Sequence, residues 1–524
     1  MRSGNVWLMD LSPRVRAVCD LDVAEAREGG GRHEYDGKPQ DLSPAGVRTG
    51  LARMAQARAA GPRAADPHDE AQLAAAEEHK RVVYAELELH RSNPLLHVSG
   101  LDLACYDRDY APAAERDAAR AEHLAAWPRV ADAAVESLDQ VSAPVAQALL
   151  EAVRGLSAGL AGPALAGPGE AVREAALAAH ARLVAHIEQA AATGRPDPAL
   201  GGPGLTALMS SAEAMPVDLG RLAEQADAER DRLHALLADG CARLEPGSRV
   251  RPALEVAREL VRDHPDGDGV IEAARLWTER AIEFTRDHDL VPYHDGICLV
   301  GPAPESRRWA MAMMSWAAAG EPEGPSWYHI TPPEKSWPQR AQDEWLEVFS
   351  ATTLPGITVH EVAPGHFSHG RAMRRLTSEV RRNLLSNAFV EGWAHYAEEL
   401  CVEEGFGDGD PRIPIGIWLE ALVRVTRLAC AIGVHTAGMS VQDAARRFEA
   451  DTQLSGPAAL SEASRATFDP TYGRYTWGKL ELLKLRERAR KDWGAGFSLL
   501  RFHRAVLELG SPSLGLLGTA VDRG

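Results

Sequence analysis

Apolar residues recur at helical spacing through most of the chain. The first clear run opens at Asp41-Leu-Ser43-Pro44, where Ser43 suits an N-cap and Pro44 the first helical position, and it continues to about Ala60. Runs of the same period cover about 70–92, 112–160, 169–193, 216–243 and 252–288, and the pattern returns from about 341 to the end. Breakers punctuate them: Gly162-Pro163, Gly167-Pro168-Gly169, Gly194-Arg-Pro-Asp-Pro198, Gly201-Gly-Pro-Gly204 and His264-Pro265-Asp-Gly267. β-Branched runs are scarce, and no repeat of fixed period is present.

The pattern changes after Leu290. Residues 290–340 are rich in proline and aromatics, including Trp309, Trp316, Trp327, Tyr328 and Trp337. Ser326-Trp-Tyr-His-Ile330, bounded by Pro325 and Pro332-Pro333, is the best candidate for a strand. The expectation is a mainly α protein with one small β-sheet close to the most reactive-looking segment. It forms a single catalytic unit over 1–524, with approximate lobes 1–289 and 290–524 around an internal cleft.

With 524 residues the chain is long enough for a large core. It has 57 basic and 75 acidic residues, a net charge of −18, which argues against a nucleic-acid partner. The stretch Met1 to Asp10 has no apolar run of signal-peptide length, and no run is long enough to span a membrane. Cys19, Cys105, Cys241, Cys298, Cys401 and Cys430 are scattered without a C-x-x-C pair, so they read as buried thiols. These features together lead to the expectation of a cytoplasmic protein with no membrane partner.

The chemistry concentrates in Thr358-Val-His360-Glu361-Val-Ala-Pro364-Gly365-His366. Helical zinc hydrolases place two histidines four apart, so that both reach one metal, with a glutamate beside the first as general base. Here they stand six apart, which on a regular helix leaves them about 240° apart around the axis. Pro364, however, lacks an N–H, and its ring crowds the carbonyl of His360. Gly365 tolerates unusual dihedrals. The spacing therefore predicts a helix widened or broken at Pro364-Gly365, turning His366 back toward His360. A third ligand is expected from the next helix, where Glu391, His395 and Glu398 form one polar stripe on an otherwise apolar face. A carboxylate flanked by Val390, Trp393 and Ala394 is costly to bury alone, and a metal supplies its partner. His360, His366 and Glu391 are the candidate ligands of one Zn2+ per chain. His369 could replace one of them but better suits an outer or surface role, and His395 suits the edge of the site or plain packing.

These segments resemble a large bacterial family known only as domain of unknown function 885, which looks related to the gluzincin clan of zinc peptidases. The resemblance rests on the His-Glu-x-x-Pro-Gly-His segment at His360 to His366, and on Glu391-Gly-Trp-Ala394 followed by Tyr396-Ala-Glu398. It extends to His33-Glu-Tyr-Asp36-Gly37, Asn93-Pro94-Leu95, Arg424-Val-Thr-Arg427-Leu428 through His435, Arg474-Tyr475-Thr-Trp-Gly478 and Phe502-His503. It implies a helical, two-lobed, peptidase-like body with an internal channel. Ala431 departs from the pattern where an aspartate is usual, as do Phe367 and His369 in place of histidine and glutamine.

Three protein ligands leave a position for water, whose pKa zinc lowers. Glu361 is the candidate base that takes the proton and later passes it to the leaving amine. Tyr475 is the candidate donor to the developing oxyanion, unless it is an aromatic packed at a helix start. His435 and His503 are weaker candidates for the same task. Arg427 is a candidate for a substrate carboxylate, or else an ordinary ion-pair residue. The expected function is hydrolysis of an amide in a small peptide by a metallopeptidase-like enzyme. The alternatives are a non-peptide amide metabolite as substrate and an inactive metal- or peptide-binding relative. Two histidines and a carboxylate also suit Fe(II) oxygenases, but that chemistry has no use for Glu361.

Overall fold

A computed structural model describes residues 10–160, 169–244, 251–304, 307–308 and 310–524. The breakers Gly162-Pro163 and Gly167-Pro168, Trp309, and residues 1–9 of the N-terminal stretch lie outside the described residues. Helices dominate, accompanied by one small sheet. The first long helix, α1 (Pro44–Ala60), starts where Ser43 Oγ accepts from the Gly46 N–H at 3.0 Å, with Pro44 in its first turn. α2 (Pro67–Arg81) passes into a wider turn at Val82–Glu86, ending the helical run earlier than its periodicity suggests. The long pattern over 112–160 is two helices, α3 (Ala113–Ser137) and α4 (Ala143–Gly155), with Pro144 in the first turn of the second. With α5 (Glu170–Thr193) they form a bundle around Leu124, Trp127, Val130, Leu149 and Leu183. Gly201–Glu213 is helical although its Gly-Gly-Pro-Gly start reads as a breaker, because proline is tolerated in a first helical turn.

α6 (Leu219–Leu244) and α7 (Gly269–Asp287) lead to the sheet. Its strands are β1 (Cys298–Pro302), β2 (Ala312–Ser315) and β3 (Ser326–Ile330), in the order β1-β3-β2. β3 is central, parallel to β1 with Val300 opposite Tyr328, and antiparallel to β2 with Met314 opposite Tyr328. Its residues alternate as a half-buried strand should: Ser326, Tyr328 and Ile330 point inward. Tyr328 and Ile330 pack with Val270 and Ala274 of α7 against the segment that carries the histidines.

That segment is α8 (Leu354–Glu361) and α9 (His366–Met373), followed by α10 (Asn387–Glu403) and α11 (Arg412–Thr436). α12 (Gly456–Arg465), α13 (Arg474–Trp493) and α14 (Leu499–Leu507) complete the long elements near the site. One apolar core joins Leu222, Leu233 and Leu237 of α6 to Phe389 and Trp393 of α10, Leu419 and Leu422 of α11, Leu482 of α13 and Phe502 of α14. Residues from both sides of position 290 share it. Among the described residues no helix is long and apolar enough to cross a membrane.

Candidate metal centre

All eight residues of α8 are buried, and the helix stops at Glu361. Val362 adopts φ −107°, ψ −96°, the Ala363–Pro364 peptide is cis, and Gly365 lies at φ −71°, ψ −131° before α9 begins at His366. Only glycine fits here: a β-carbon on Gly365 would sit 2.0 Å from the carbonyl oxygen of His360 and 2.5 Å from that of Val359. The turn is pinned by Trp393 Nε1, which donates to the Pro364 carbonyl at 2.9 Å, and by the Ser368 N–H, which donates to Val362 O at 3.2 Å. The break brings the His360 and His366 rings to 4.7 Å between centroids, nearly perpendicular at 84°.

Glu391 comes from α10, whose N-cap Ser386 accepts from the Phe389 N–H and donates to the buried Glu213. α10 crosses α13 at glycines: a β-carbon on Gly392 would lie 2.5 Å from Gly478 Cα. This close approach sets Tyr475, in the first turn of α13, beside the histidines.

His360 Nε2 and His366 Nε2 each lie 3.4 Å from the same oxygen, Glu391 Oε2, and the three donor atoms all fall within 4.8 Å of one another. These separations are longer than ordinary hydrogen bonds. They match the ~3.4 Å between two ligands that are each about 2.0–2.1 Å from a tetrahedral zinc. His360 Nδ1 donates to Glu398 Oε1 at 2.6 Å, which fixes the tautomer and leaves Nε2 to face inward. Glu398 is almost fully buried and is also met by Arg424 Nη2 at 3.2 Å and His395 Nδ1 at 3.3 Å. Burial opposes its charge, but Arg424, His395 and His360 overrule it and hold the carboxyl far below its usual range. Burial and Arg424 likewise oppose a His360 cation, yet the facing carboxylates of Glu391 and Glu398 raise it to about 9. The cage thus favours a positive charge at the point where the donors converge, and a metal would displace the proton.

The donor set fits a zinc ion. Glu361 Oε2 and His366 Nδ1 are buried without a partner among the described residues. Burial pushes the Glu361 carboxyl up against the pull of His366 and His360. The side chains of His360, His366 and Glu391 are 5, 10 and 23 % exposed, so the approach is narrow and lies on the Glu391 side. A surface recess of about 760 Å³ between Trp277, Phe284 and Phe406 touches none of these residues.

Tyr475 stacks at 6.3 Å from the His360 ring, and its hydroxyl has no hydrogen-bond partner among the described residues. His369 is turned away, with Nε2 3.2 Å from Gly510 O and 3.0 Å from Ser511 Oγ, and burial pushes it down to about 3. His395 lies behind Glu398 and outside the donor cluster. His435 and His503 are corrected to structural roles because both nitrogens of each ring are used. His435 accepts from the Leu200 N–H at 3.2 Å and donates to Ala466 O at 2.8 Å. His503 donates to Leu290 O at 2.7 Å and accepts from the Tyr396 hydroxyl at 2.9 Å. The two-pronged side of Arg427 is taken by Glu462, with Nε and Nη2 both at 2.8 Å, so it cannot grip a substrate carboxylate with that fork. Glu398 and Arg424 carry no role in the sequence reading. The signal for them is their spacing, seven after Glu391 and four after Glu420.

The family described as "Bacterial protein of unknown function (DUF885)" matches residues 25–521. No curated protein matches the chain. Two solved structures share the fold. One is a "putative lipoprotein of unknown function from Shewanella oneidensis", with 18% identity, TM-score 0.77, and coverage of 98% of this chain and 99% of that one. The other is a "putative lipoprotein from Colwellia psychrerythraea", with 16% identity, TM-score 0.80, and coverage of 98% of both chains. Both carry the word lipoprotein, and this overturns the expectation of a cytoplasmic location. The six cysteines are unpaired and five are buried, and thiols shielded in a core need no reducing compartment.

Proposed function

The chain belongs to the DUF885 family, whose description names no reaction, and on that premise we propose that it is a zinc-dependent hydrolase of an amide bond in a small peptide. One observation carries the reading. Two imidazole nitrogens each stand 3.4 Å from one oxygen of Glu391, while the carboxylate next to the first histidine, Glu361, keeps a buried oxygen without a partner.

His360, His366 and Glu391 would hold the metal, which when bound supplies Lewis acidity toward the scissile carbonyl and toward water. Glu361 takes a proton from the attacking water and delivers it to the leaving nitrogen. The burial that raises its pKa makes it a better base for that transfer. The Tyr475 hydroxyl donates to the oxyanion that develops on the carbonyl carbon's oxygen. Glu398 holds His360 in one tautomer, and Arg424 keeps Glu398 ionised. The low exposure of the ligands favours a short substrate over a folded protein. The zinc-peptidase-like, two-lobed character belongs to this proposal, as does action outside the cytoplasm.

The test is a digest of a mixed peptide library by zinc-loaded protein, read by mass spectrometry. Cleavage that disappears on chelation and returns with zinc is the expected result. An unaltered library, with zinc bound, would remove the hydrolase reading.

A further inference from the structure

The motif His33-Glu-Tyr-Asp36-Gly37 takes no part in the metal centre, yet its histidine is held between two acids. His33 opens a single helical turn, His33–Tyr35, and its ring lies flat on that of Tyr110, 3.7 Å between centroids and 5° between planes. Each ring nitrogen faces a carboxylate: Nδ1 is 3.3 Å from Asp36 Oδ1, and Nε2 is 3.1 Å from Glu321 Oε1. A neutral imidazole has one N–H, so it would satisfy one of these oxygens and turn a lone pair toward the other. Only the cation donates to both. His435 and His503, by contrast, each face one donor and one acceptor.

The surrounding charges do not replace the proton. Arg108 pairs with Glu321 and leans over Tyr110 at 5.9 Å, while the Tyr110 hydroxyl donates to Asp36 at 2.8 Å. Farther out, Arg27 lies over Tyr106, Arg307 pairs with Glu28 and Asp102, and Arg16 and Arg32 pair with Glu34. Among the described residues, no arginine or lysine pairs with Asp36, whose ionic partner is His33. Burial opposes a charge on His33, but Asp36 and Glu321 overrule it and raise its pKa above the ordinary value.

Glu321 belongs to the loop between β2 and β3, and the same knot closes that loop. Its carboxylate also accepts from the Ala318 N–H at 2.8 Å, and Arg108 Nη1 donates to Trp316 O at 2.9 Å. The N-terminal turn lies tight against the loop: a β-carbon on Gly320 would sit 2.9 Å from Gly31 O. On its other side the loop is seated on α9. A β-carbon on Gly370 would sit 2.8 Å from Trp316 Cβ, and the Trp316 ring meets His369 edge-on at 5.5 Å. Arg374, just after α9, donates to Ala318 O at 2.6 Å and to Glu321 O at 3.1 Å. His33 thus grips one side of a loop whose other side packs on the helix that begins at His366.

We infer that His33, Asp36 and Glu321 form a pH-operated clasp, which holds the Trp316–Glu321 loop closed on α9 while His33 is charged and loosens it when the proton leaves. The fold favours the cation, so the stabilisation is complete below about pH 6.5, the ordinary pKa of the unfolded chain. It is lost as pH rises through the higher pKa of His33 in the fold. The clasp does not depend on the hydrolase reading, because neither turnover nor a substrate enters it.

The test is hydrogen–deuterium exchange of the full chain in the presence of zinc, at pH 6 and pH 8.5, read by mass spectrometry on peptides that cover the loop. Rates are corrected for the intrinsic pH dependence of amide exchange, so that they report opening of the loop. Protection of the loop should fall at least ~10-fold from pH 6 to pH 8.5, the loss expected when one charged hydrogen bond goes. His33→Gln should show, at both pH values, the low protection of the wild type at pH 8.5. Freshly purified Asp36→Asn offers an amide N–H to a neutral His33, and should keep the loop protected at both. Equal wild-type protection at the two pH values, full protection of His33→Gln at pH 8.5, or a pH response that survives in either variant overturns the inference. If His33→Gln does not fold, the wild type against Asp36→Asn decides it.

Discussion

Replacing Glu398 by glutamine should loosen the metal without touching a ligand. The carboxylate accepts from His360 Nδ1 at 2.6 Å and faces Arg424 and His395 with its remaining valences. A glutamine oxygen can still accept from His360, but its amide group then turns N–H donors toward Arg424 and His395, which are donors or must become acceptors. Loss of a charged partner behind a metal-bound histidine typically costs about 10–100-fold in metal affinity, or ~1.4–2.8 kcal/mol. Removing one partner of a buried ion pair costs about 3–5 kcal/mol, and the lower end applies because Glu420 still lies 3.4 Å from Arg424. Zinc affinity would be read by competition with a chromogenic chelator, and stability by urea denaturation of the zinc-loaded protein. A folded Glu398→Gln variant that binds zinc like the wild type would refute the claim that Glu398 orients His360.

Gly365→Ala should abolish zinc binding, because its β-carbon meets two backbone carbonyls at 2.0 and 2.5 Å, and elemental analysis of the purified variant checks this. Lys479→Met should destabilise the fold by about 3 kcal/mol in urea, since fully buried Lys479 holds Glu229 at 2.6 Å and Glu399 at 2.9 Å, and Arg232 alone would then be left to pair with both. His123, which accepts from the Tyr106 hydroxyl at 3.0 Å and donates to Gly100 O at 2.8 Å, is pushed down to about 3 by burial and stays neutral in the fold. The unfolded chain binds the proton first, so its contribution is complete above about pH 6.5 and is lost as pH falls toward 3, on the order of 2 kcal/mol by pH 5. Urea midpoints at pH 7 and pH 5 for wild type and His123→Gln should show a shallower decline in the variant.

The sequence reaches furthest where a local rule leaves one outcome. Ser43-Pro44 starts a helix, Ser326–Ile330 forms the central strand, and Pro364-Gly365 ends a helix where a proline ring and a missing side chain demand it. From that break follow the convergence of His360 and His366 and the place for Glu391 opposite them. Contacts set by helix crossings lie beyond such rules. Glu398 acts on a histidine 38 positions earlier, and Asp469 pairs with both Arg465 and Arg474 only because the turn after α12 brings it between them. β1 and β2 are five and four residues long, too short for alternation to separate them from loop. His435 and His503 show the converse: a histidine in a motif-rich stretch looks reactive until the backbone groups facing its two nitrogens are seen. Location was misjudged because scattered cysteines report burial more directly than compartment.

On the hydrolase proposal the two carboxylates of the site carry different tasks, and the measurement that separates them most directly is bound zinc together with peptide turnover in Glu361→Gln, beside Glu391→Gln. Glu361→Gln keeps the size and removes the base, so zinc should stay near one per chain while turnover falls by roughly 10² or more. Glu391→Gln should lose metal affinity and recover part of its activity in excess zinc. A Glu361→Gln protein that loses its zinc while Glu391→Gln keeps it would reverse the assignment, and full activity in both would place the chemistry elsewhere.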